Sequence, residues 1–483
     1  MTERIRRLGL ILGVGFCLLL AALTRLQVVD AAKLSSDPRN TRALTAAFSA
    51  ERGLIQTSDG VVLAQSVPSA DEFKRQRQYP EGALYAPVTG YLSFTYGADG
   101  AERAFNGDLV GGNLPGGDKS LRDLFSGGNK KTEDVTLTIV SAVQKAAASA
   151  LGNRRGAVVA LDPTTGAILA MVNFPTFDPN PLAAHTQENV RNAWNELQND
   201  PAHPLLPRGY RETFAPGSTF KVVTSSAAFD RAPDLTTKTY PVLRQLDLPR
   251  TDKDLPNFGG SSCGGTIADL LRVSCNTGFA QMGLDLGGAN LAAEASAFGF
   301  GEKPPFDLPA AAVSHFPDPG EFERNEPGLA FSAIGQQNVT ASPLQMALVA
   351  AGIANNGVIM SPHVLKEVRD EKQNIIKSYD PKEWRKATSP ETAASVKAMM
   401  VDVAARGTAT RARVNGVTVG AKTGTAQTVG NNAHAWLIAF APAEAPKVAV
   451  AVIVESQPGL GDVTGGRIAA PIAATVIAAA LGK

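Results

Sequence analysis

The sequence predicts an α+β protein tied to a membrane by its N-terminus, and three stretches carry that expectation. "GAVVALDPTTGAILAMVN" (156–173) reads as a hairpin, two apolar runs around Pro163-Thr164-Thr165-Gly166. "GVTVGAKTGTAQT" (416–428), "AHAWLIAFAP" (433–442) and "KVAVAVIVES" (447–456) read as three neighbouring antiparallel strands, followed by the Ala-rich helix "GGRIAAPIAATVIAAALGK". Runs this continuously apolar imply a sheet covered on both faces. The stretch between these two groups is mostly helical in pattern, so the domain is a layered one with the last helix packed on the sheet.

The N-terminal stretch "MTERIRRLGLILGVGFCLLLAALTRLQ" places Arg4, Arg6 and Arg7 before an unbroken apolar run from Leu8 to Leu23. With Ile5 and Leu26 the run approaches the ~20 residues of a spanning helix. The basic flank comes first, so the tail is expected in the cytoplasm and the remainder outside. The alternative is a cleaved signal peptide, against which no clean small-x-small site follows Leu23. Residues 1–24 are therefore read as tail and anchor.

Residues 25–133 form a separate region. In it "ERGLIQTSDGVVLAQS" (51–66) reads as two short extended runs around Ser58-Asp59-Gly60, and the polar 116–134 stretch reads as a linker or exposed loop. From Asp134 the pattern changes to a short strand and an Ala-rich helix, "DVTLTIVSAVQKAAASAL", opening a domain over 134–483.

A formal net charge of +1 gives no basic surface for nucleic acid. Three cysteines and five histidines, in no ligand spacing, give no reason to expect a metal or a cofactor. With Cys17 in the anchor, only Cys263 and Cys275 lie outside. An oxidising compartment favours a bridge between them, and the alternative is two free thiols, Cys275 filling a small buried slot.

Three short motifs carry the chemistry. "FAPGSTFKVV" (214–223) places Ser218 and Lys221 three positions apart, on one face if a helix starts there. A capped helix with a surface lysine would look the same. A hydroxyl becomes a useful nucleophile only when a base takes its proton, and lysine is such a base only when neutral. Ser274-Cys275-Asn276 and Lys422-Thr423-Gly424 follow in order. Lys422 could supply the charge that keeps Lys221 neutral, Ser274 a proton relay, and Asn276 a hold on Lys221 or the substrate amide. Thr423 and Thr425 alternate along a strand and so face one side. His434 and Trp436 are read as structural, Arg406-Gly407-Thr408 as a turn, and Asp462 with Arg467 as solvated.

Ser-x-x-Lys, Ser-x-Asn and Lys-Thr-Gly in this order resemble the signature of penicillin-binding proteins and serine β-lactamases. With "ERGLIQTSDG", "GAERAFN" (100–106) and "TASPLQMALVAAGIANNG" (340–357), nearly the whole chain resembles the class B penicillin-binding proteins, and within them the actinobacterial PbpA-like group. The resemblance implies an anchor, a pedestal or dimerisation-like module over 25–133, and a transpeptidase domain with a five-stranded antiparallel sheet flanked by helices. It implies an acyl-enzyme at Ser218, an oxyanion hole from the N–H groups of Ser218 and Thr425, and Lys422, Thr423, Gly424 and Thr425 as the carboxylate site.

The partners it implies are donor and acceptor peptidoglycan stem peptides, β-lactams, and a membrane glycan polymerase of the RodA/FtsW type. The length leaves no room for a glycosyltransferase domain of the chain's own. Two rival functions use the same residues. One is hydrolysis, as a D,D-carboxypeptidase or β-lactamase. The other is a non-catalytic β-lactam-binding scaffold or sensor, against which all three motifs are intact.

Overall fold

A computed structural model of the chain describes residues 2–26, 48–49, 51–110, 132–427, 433–457 and 464–483. The polar linker expected over 116–134 lies outside the described residues as far as residue 131, and so does Asp462. The N-terminal run is a helix, α1 (Thr2–Thr24), of 23 residues. At 1.5 Å per residue it spans ~34 Å, enough for a hydrocarbon core of ~30 Å.

The chain continues through β1 (Ile55–Gln56), β2 (Val62–Pro68) and β3 (Arg75–Gln78), then β4 (Asp134–Leu137) and α2 (Ser141–Leu151). The hairpin expected over 156–173 is β5 (Gly156–Leu161) and β6 (Ile168–Phe174). The helical middle includes α3 (Lys221–Arg231), α4 (Ile267–Val273), α5 (Asn276–Ala297) and α6 (Pro343–Ala354). Then come β7 (Leu365–Arg369), β8 (Ile375–Ser378) and α7 (Pro390–Arg406). The chain closes with β9 (Gly420–Gln427), β10 (Ala433–Ala441), β11 (Val448–Val454) and α8 (Ala470–Ala480).

Two sheets organise these elements. The five-stranded sheet runs β9-β10-β11-β5-β6, antiparallel throughout. Every residue of β5 and β11 is buried. The cause is cover on both faces, by α2 and α8 on one and by α6 on the other. All twelve residues of α6 are buried, as expected of a helix that is apolar on every side.

The second sheet runs β8-β7-β4-β1-β2-β3. Here β4, which opens the sequence-defined second domain, lies parallel to β1 of the first, and β7 and β8 arrive from far down the chain. This sheet therefore crosses the division at 133/134. A two-residue strand such as β1 cannot bury a face alone and is held by its neighbours.

Beside this sheet the "ERG" and "GAERAFN" segments meet in a buried cluster. Arg52 and Arg77 donate to the two Glu102 oxygens at 2.7 and 2.6 Å, and the Tyr79 hydroxyl lies 3.1 Å from the same carboxylate. Burial alone would push the Glu102 carboxyl up, but the two guanidiniums hold it below the usual range. Arg211, seven residues before Ser218, reaches back to the N-terminal part of the chain, its two Nη atoms gripping the Asp99 carboxylate at 2.6 and 2.7 Å.

The catalytic-looking residues lie on one side of the five-stranded sheet. Its edge strand β9 keeps one side free of strand partners, and the turn carrying Ser218 packs against β9.

Candidate active site

Ser218 sits in a 3₁₀ turn, Gly217–Phe220, and the α-helix proper begins only at Lys221. The regular helix expected from Ser218 is thus replaced by a tighter turn. Residues i and i+3 eclipse in 3₁₀ geometry, which aligns Ser218 with Lys221 more closely than an α-helix would. The cause is the backbone at Gly217, which has φ +53° and donates its N–H to the Gly335 carbonyl at 2.8 Å. A Cβ at Gly335 would sit 2.2 Å from the Gly217 oxygen, so that contact requires glycine.

Gly424 serves the same close packing from the other side. A Cβ there would meet Pro216 O and Thr219 Cγ2 at 3.0 Å, so the missing side chain lets the serine turn lie against β9.

Lys221 is not a surface lysine. Its side chain is fully buried, as is that of Lys422, and among the described residues neither has a carboxylate partner. Lys221 Nζ donates to the Ser274 carbonyl (2.8 Å) and to Asn276 Oδ1 (2.7 Å). Two acceptors consume the two N–H bonds of a neutral amine and leave its lone pair for the serine. Burial first, and then the positive charge of Lys422, hold Lys221 well below the ordinary lysine value. Burial also brings Lys422 down, to about 7.

Ser274 joins the two lysines. Lys422 Nζ donates to its Oγ at 2.8 Å, and Lys221 Nζ lies 3.5 Å from the same oxygen. Because Ser274 Oγ accepts from Lys422, its own proton is free to be relayed. Ser274 ends α4 in the left-handed region, φ +61°, a conformation that costs a non-glycine residue about 1–3 kcal/mol. What keeps it there is the surrounding set of bonds. Ser274 and Cys275 N–H donate back to Leu271 and Leu270, and the Ser274 carbonyl is taken by Lys221.

Cys275 is bonded to Cys263, with Cα atoms 5.8 Å apart, within the usual span of ~4.4–6.8 Å. Native protein denatured without reductant should accordingly show no titratable thiol from either position; two such thiols would remove the bridge. Reduction is expected to slow acylation of Ser218 more than it lowers Tm, because the bond adjoins Ser274 and Asn276.

Several residues reach this site without a sequence signal. Asn257 is buried, and its Oδ1 accepts from the N–H groups of Asn276 (2.8 Å) and Thr277 (3.0 Å), the first turn of α5. Its Nδ2 donates to the Leu243 carbonyl at 2.8 Å, so one side chain pins the Ser-x-Asn loop. Thr408, read from sequence as part of a turn, has its hydroxyl hydrogen-bonded to that of Thr423 at 2.6 Å. Arg467, read as solvated, is exposed but lines the cleft. His434 accepts from the Ser456 N–H at 3.0 Å and is held neutral by burial, and Trp436 is wholly buried opposite Gly424.

The cleft holds about 770 Å³. Ser218, Ser274, Asn276, Thr423 and Thr425 all open into it, with the two lysines behind them. A serine, a buried amine whose pKa is lowered, a second hydroxyl between two amines and a free strand edge together form an acyl-transfer site.

Comparison with known proteins points the same way. Residues 156–478 match the penicillin-binding protein transpeptidase domain, and residues 52–135 match the penicillin-binding protein A dimerisation domain. The peptidoglycan D,D-transpeptidase PbpA of Mycolicibacterium smegmatis is 41% identical over 100% of this chain and 99% of its own. The Mycobacterium tuberculosis PbpA is 38% identical over the same shares. The ceftriaxone acyl-enzyme complex of M. tuberculosis penicillin-binding protein A superposes with a TM-score of 0.81 at 37% identity, over 90% of this chain and 100% of that one. With its three motifs joined in one cleft and its whole length matched, the chain belongs to the penicillin-binding protein transpeptidase family.

Proposed function

We infer that this protein is a membrane-anchored serine D,D-transpeptidase that cross-links peptidoglycan stem peptides through an acyl-enzyme at Ser218. One observation carries the reading: two fully buried lysines meet at Ser274 behind Ser218, and burial with the nearby Lys422 charge lowers Lys221 well below the ordinary lysine value. The kinship supports it, since the relatives are named D,D-transpeptidases and one was captured as a β-lactam acyl-enzyme.

In this mechanism Ser218 Oγ attacks the carbonyl between the two terminal D-alanines while its proton passes to Lys221 Nζ. The oxyanion is received by the N–H groups of Ser218 and Thr425; a donor in such a position is worth ~2.7–4 kcal/mol of barrier. The C–N bond breaks, the departing amine takes a proton by way of Ser274, and D-alanine leaves. Lys422, Thr423 and Thr425, with Gly424 keeping the strand close, hold the terminal carboxylate. An amine from a second stem peptide then attacks the ester, passes its proton back through Lys221, and restores Ser218. β-Lactams acylate the same serine and stall there.

Residues 25–133 act as the pedestal of a catalytic domain over 134–483, and α1 holds the protein with its N-terminus in the cytoplasm and its bulk outside. Glycan strands come from a membrane polymerase of the RodA/FtsW type. Protease added to spheroplasts should digest the ectodomain and leave α1 behind; a mature chain beginning near residue 30 would refute the anchor.

Transfer is separated from hydrolysis by giving purified ectodomain a stem-peptide or thioester donor with and without an amine acceptor. A transpeptidase yields a new amide product that grows with acceptor concentration at the expense of hydrolysis. Hydrolysis unaffected by any amine would make it a D,D-carboxypeptidase or β-lactamase-type hydrolase, and no turnover with intact binding would make it a scaffold.

A further inference from the structure

We propose that Asn173 and Tyr210 hold one buried, ordered water molecule between them, where strand β6, the segment leading to Ser218 and residues 86–100 meet.

Both side chains are deeply buried, Asn173 at 3% exposure and Tyr210 at 1%. Asn173 Nδ2 donates to the Pro175 carbonyl at 2.8 Å, which identifies the amide nitrogen and leaves Oδ1 over. That Oδ1 and the Tyr210 hydroxyl are buried atoms with no hydrogen-bond partner among the described residues. The adjacent Arg211 is committed elsewhere, its Nε to the Pro309 carbonyl and its Nη atoms to Asp99. Burial pushes the Tyr210 phenol up, so near neutral pH it keeps its proton and is a donor. A buried acceptor and a buried donor left unmade are costly, and native folds satisfy such groups with protein or with water.

The two residues line one small cavity of about 10 Å³, together with Ala86, Gly90, Asp99 and Pro207. The packing around it explains why they meet. A Cβ on Gly209 would lie 3.1 Å from Met171 Cγ, so the turn carrying Tyr210 rests on β6. Met171 and Asn173 are two apart on that strand and share a face. Residues 86–100 close another side, drawn tight at Gly90, where a Cβ would sit 2.1 Å from the Asp99 carbonyl oxygen.

Size and charge select the occupant. A cavity of about 10 Å³ has room for one water and for nothing larger. The charges beside it are already matched, because Arg211 grips the Asp99 carboxylate, so nothing calls for an ion. An apolar cavity of this size stays dry, and the two polar side chains make this one wet. The water donates to Asn173 Oδ1 and accepts from the Tyr210 hydroxyl, a bridge nearly as favourable as a direct bond. Tyr210 lies eight residues before Ser218, so the water helps to seat the segment that runs into the Ser218 turn.

The test is a crystal structure of the full chain, purified in detergent, at a resolution that shows ordered water. The expected result is a single water peak within hydrogen-bond distance of both Asn173 Oδ1 and Tyr210 Oη. An unfilled cavity, a peak that touches only one of the two groups, or a direct bond between them overturns the proposal. A second measurement follows urea midpoints of Tyr210→Phe, Asn173→Ala and the double variant. Each single change should lower the midpoint, and the double variant should lose less than the two losses added together, because either change alone already breaks the bridge. Losses that simply add would show two independent groups and overturn it as well.

Discussion

Lys221→Ala is expected to slow acylation of Ser218 by roughly 10²–10⁴-fold, the usual contribution of a positioned general base. The variant loses the amine whose two N–H bonds are taken by Ser274 O and Asn276 Oδ1 and whose lone pair remains for the serine. In the proposed mechanism acylation requires Lys221 neutral, so in the wild type the rate rises with pH through the lowered pKa of that lysine. It also requires Lys422 charged, and so falls as Lys422 loses its proton, about pH 7 in the empty cleft and higher once a carboxylate is bound. The alanine variant should lose the rising limb and keep the falling one.

Its stability should move differently from its rate. A buried lysine with a lowered folded pKa leaves the unfolded chain binding more protons between that pKa and the ordinary lysine value, so stability rises with pH across this window. Removing Lys221 should flatten that rise. A parallel collapse of Tm and rate would instead make Lys221 a structural residue.

The second large effect belongs to the proposed nucleophile. Ser218→Ala should abolish covalent labelling by penicillin altogether, because among the described residues no other serine that opens into the cleft has a buried lysine three positions on. Ser274, the other cleft hydroxyl among the motif serines, accepts from a lysine and lies in the left-handed region, which suits it to proton relay. Tm should be preserved, since the Ser218 side chain is only half-buried and the turn is held by Gly217, Gly335 and Thr219 rather than by the hydroxyl.

The residues that sequence reading found and missed differ in a physical way. The hairpin β5–β6, the strands β10 and β11 and the last helix were legible because each is a largely apolar run. The three motifs were legible as a set, through their order. The 3₁₀ start at Ser218 was not, because it depends on Gly335, more than a hundred residues away. Asn257 was invisible because its work is done on N–H groups nineteen and twenty positions further on. The pairing of β1, β4 and β7 could not be read from strands as short as two residues, whose pattern has no period to detect. Thr408 looked like turn chemistry because only the approach of Gly466 and Thr423 places its hydroxyl at the cleft.

The most direct test of an acyl-enzyme at Ser218 is peptide mapping by mass spectrometry after penicillin treatment of purified ectodomain. The expected result is one adduct, of the mass of the intact opened β-lactam, on the peptide containing Ser218. It should be absent from Ser218→Ala and form slowly in Lys221→Ala. An adduct on Ser274 or any other residue in the wild type, or equal labelling of the Ser218→Ala protein, would contradict it.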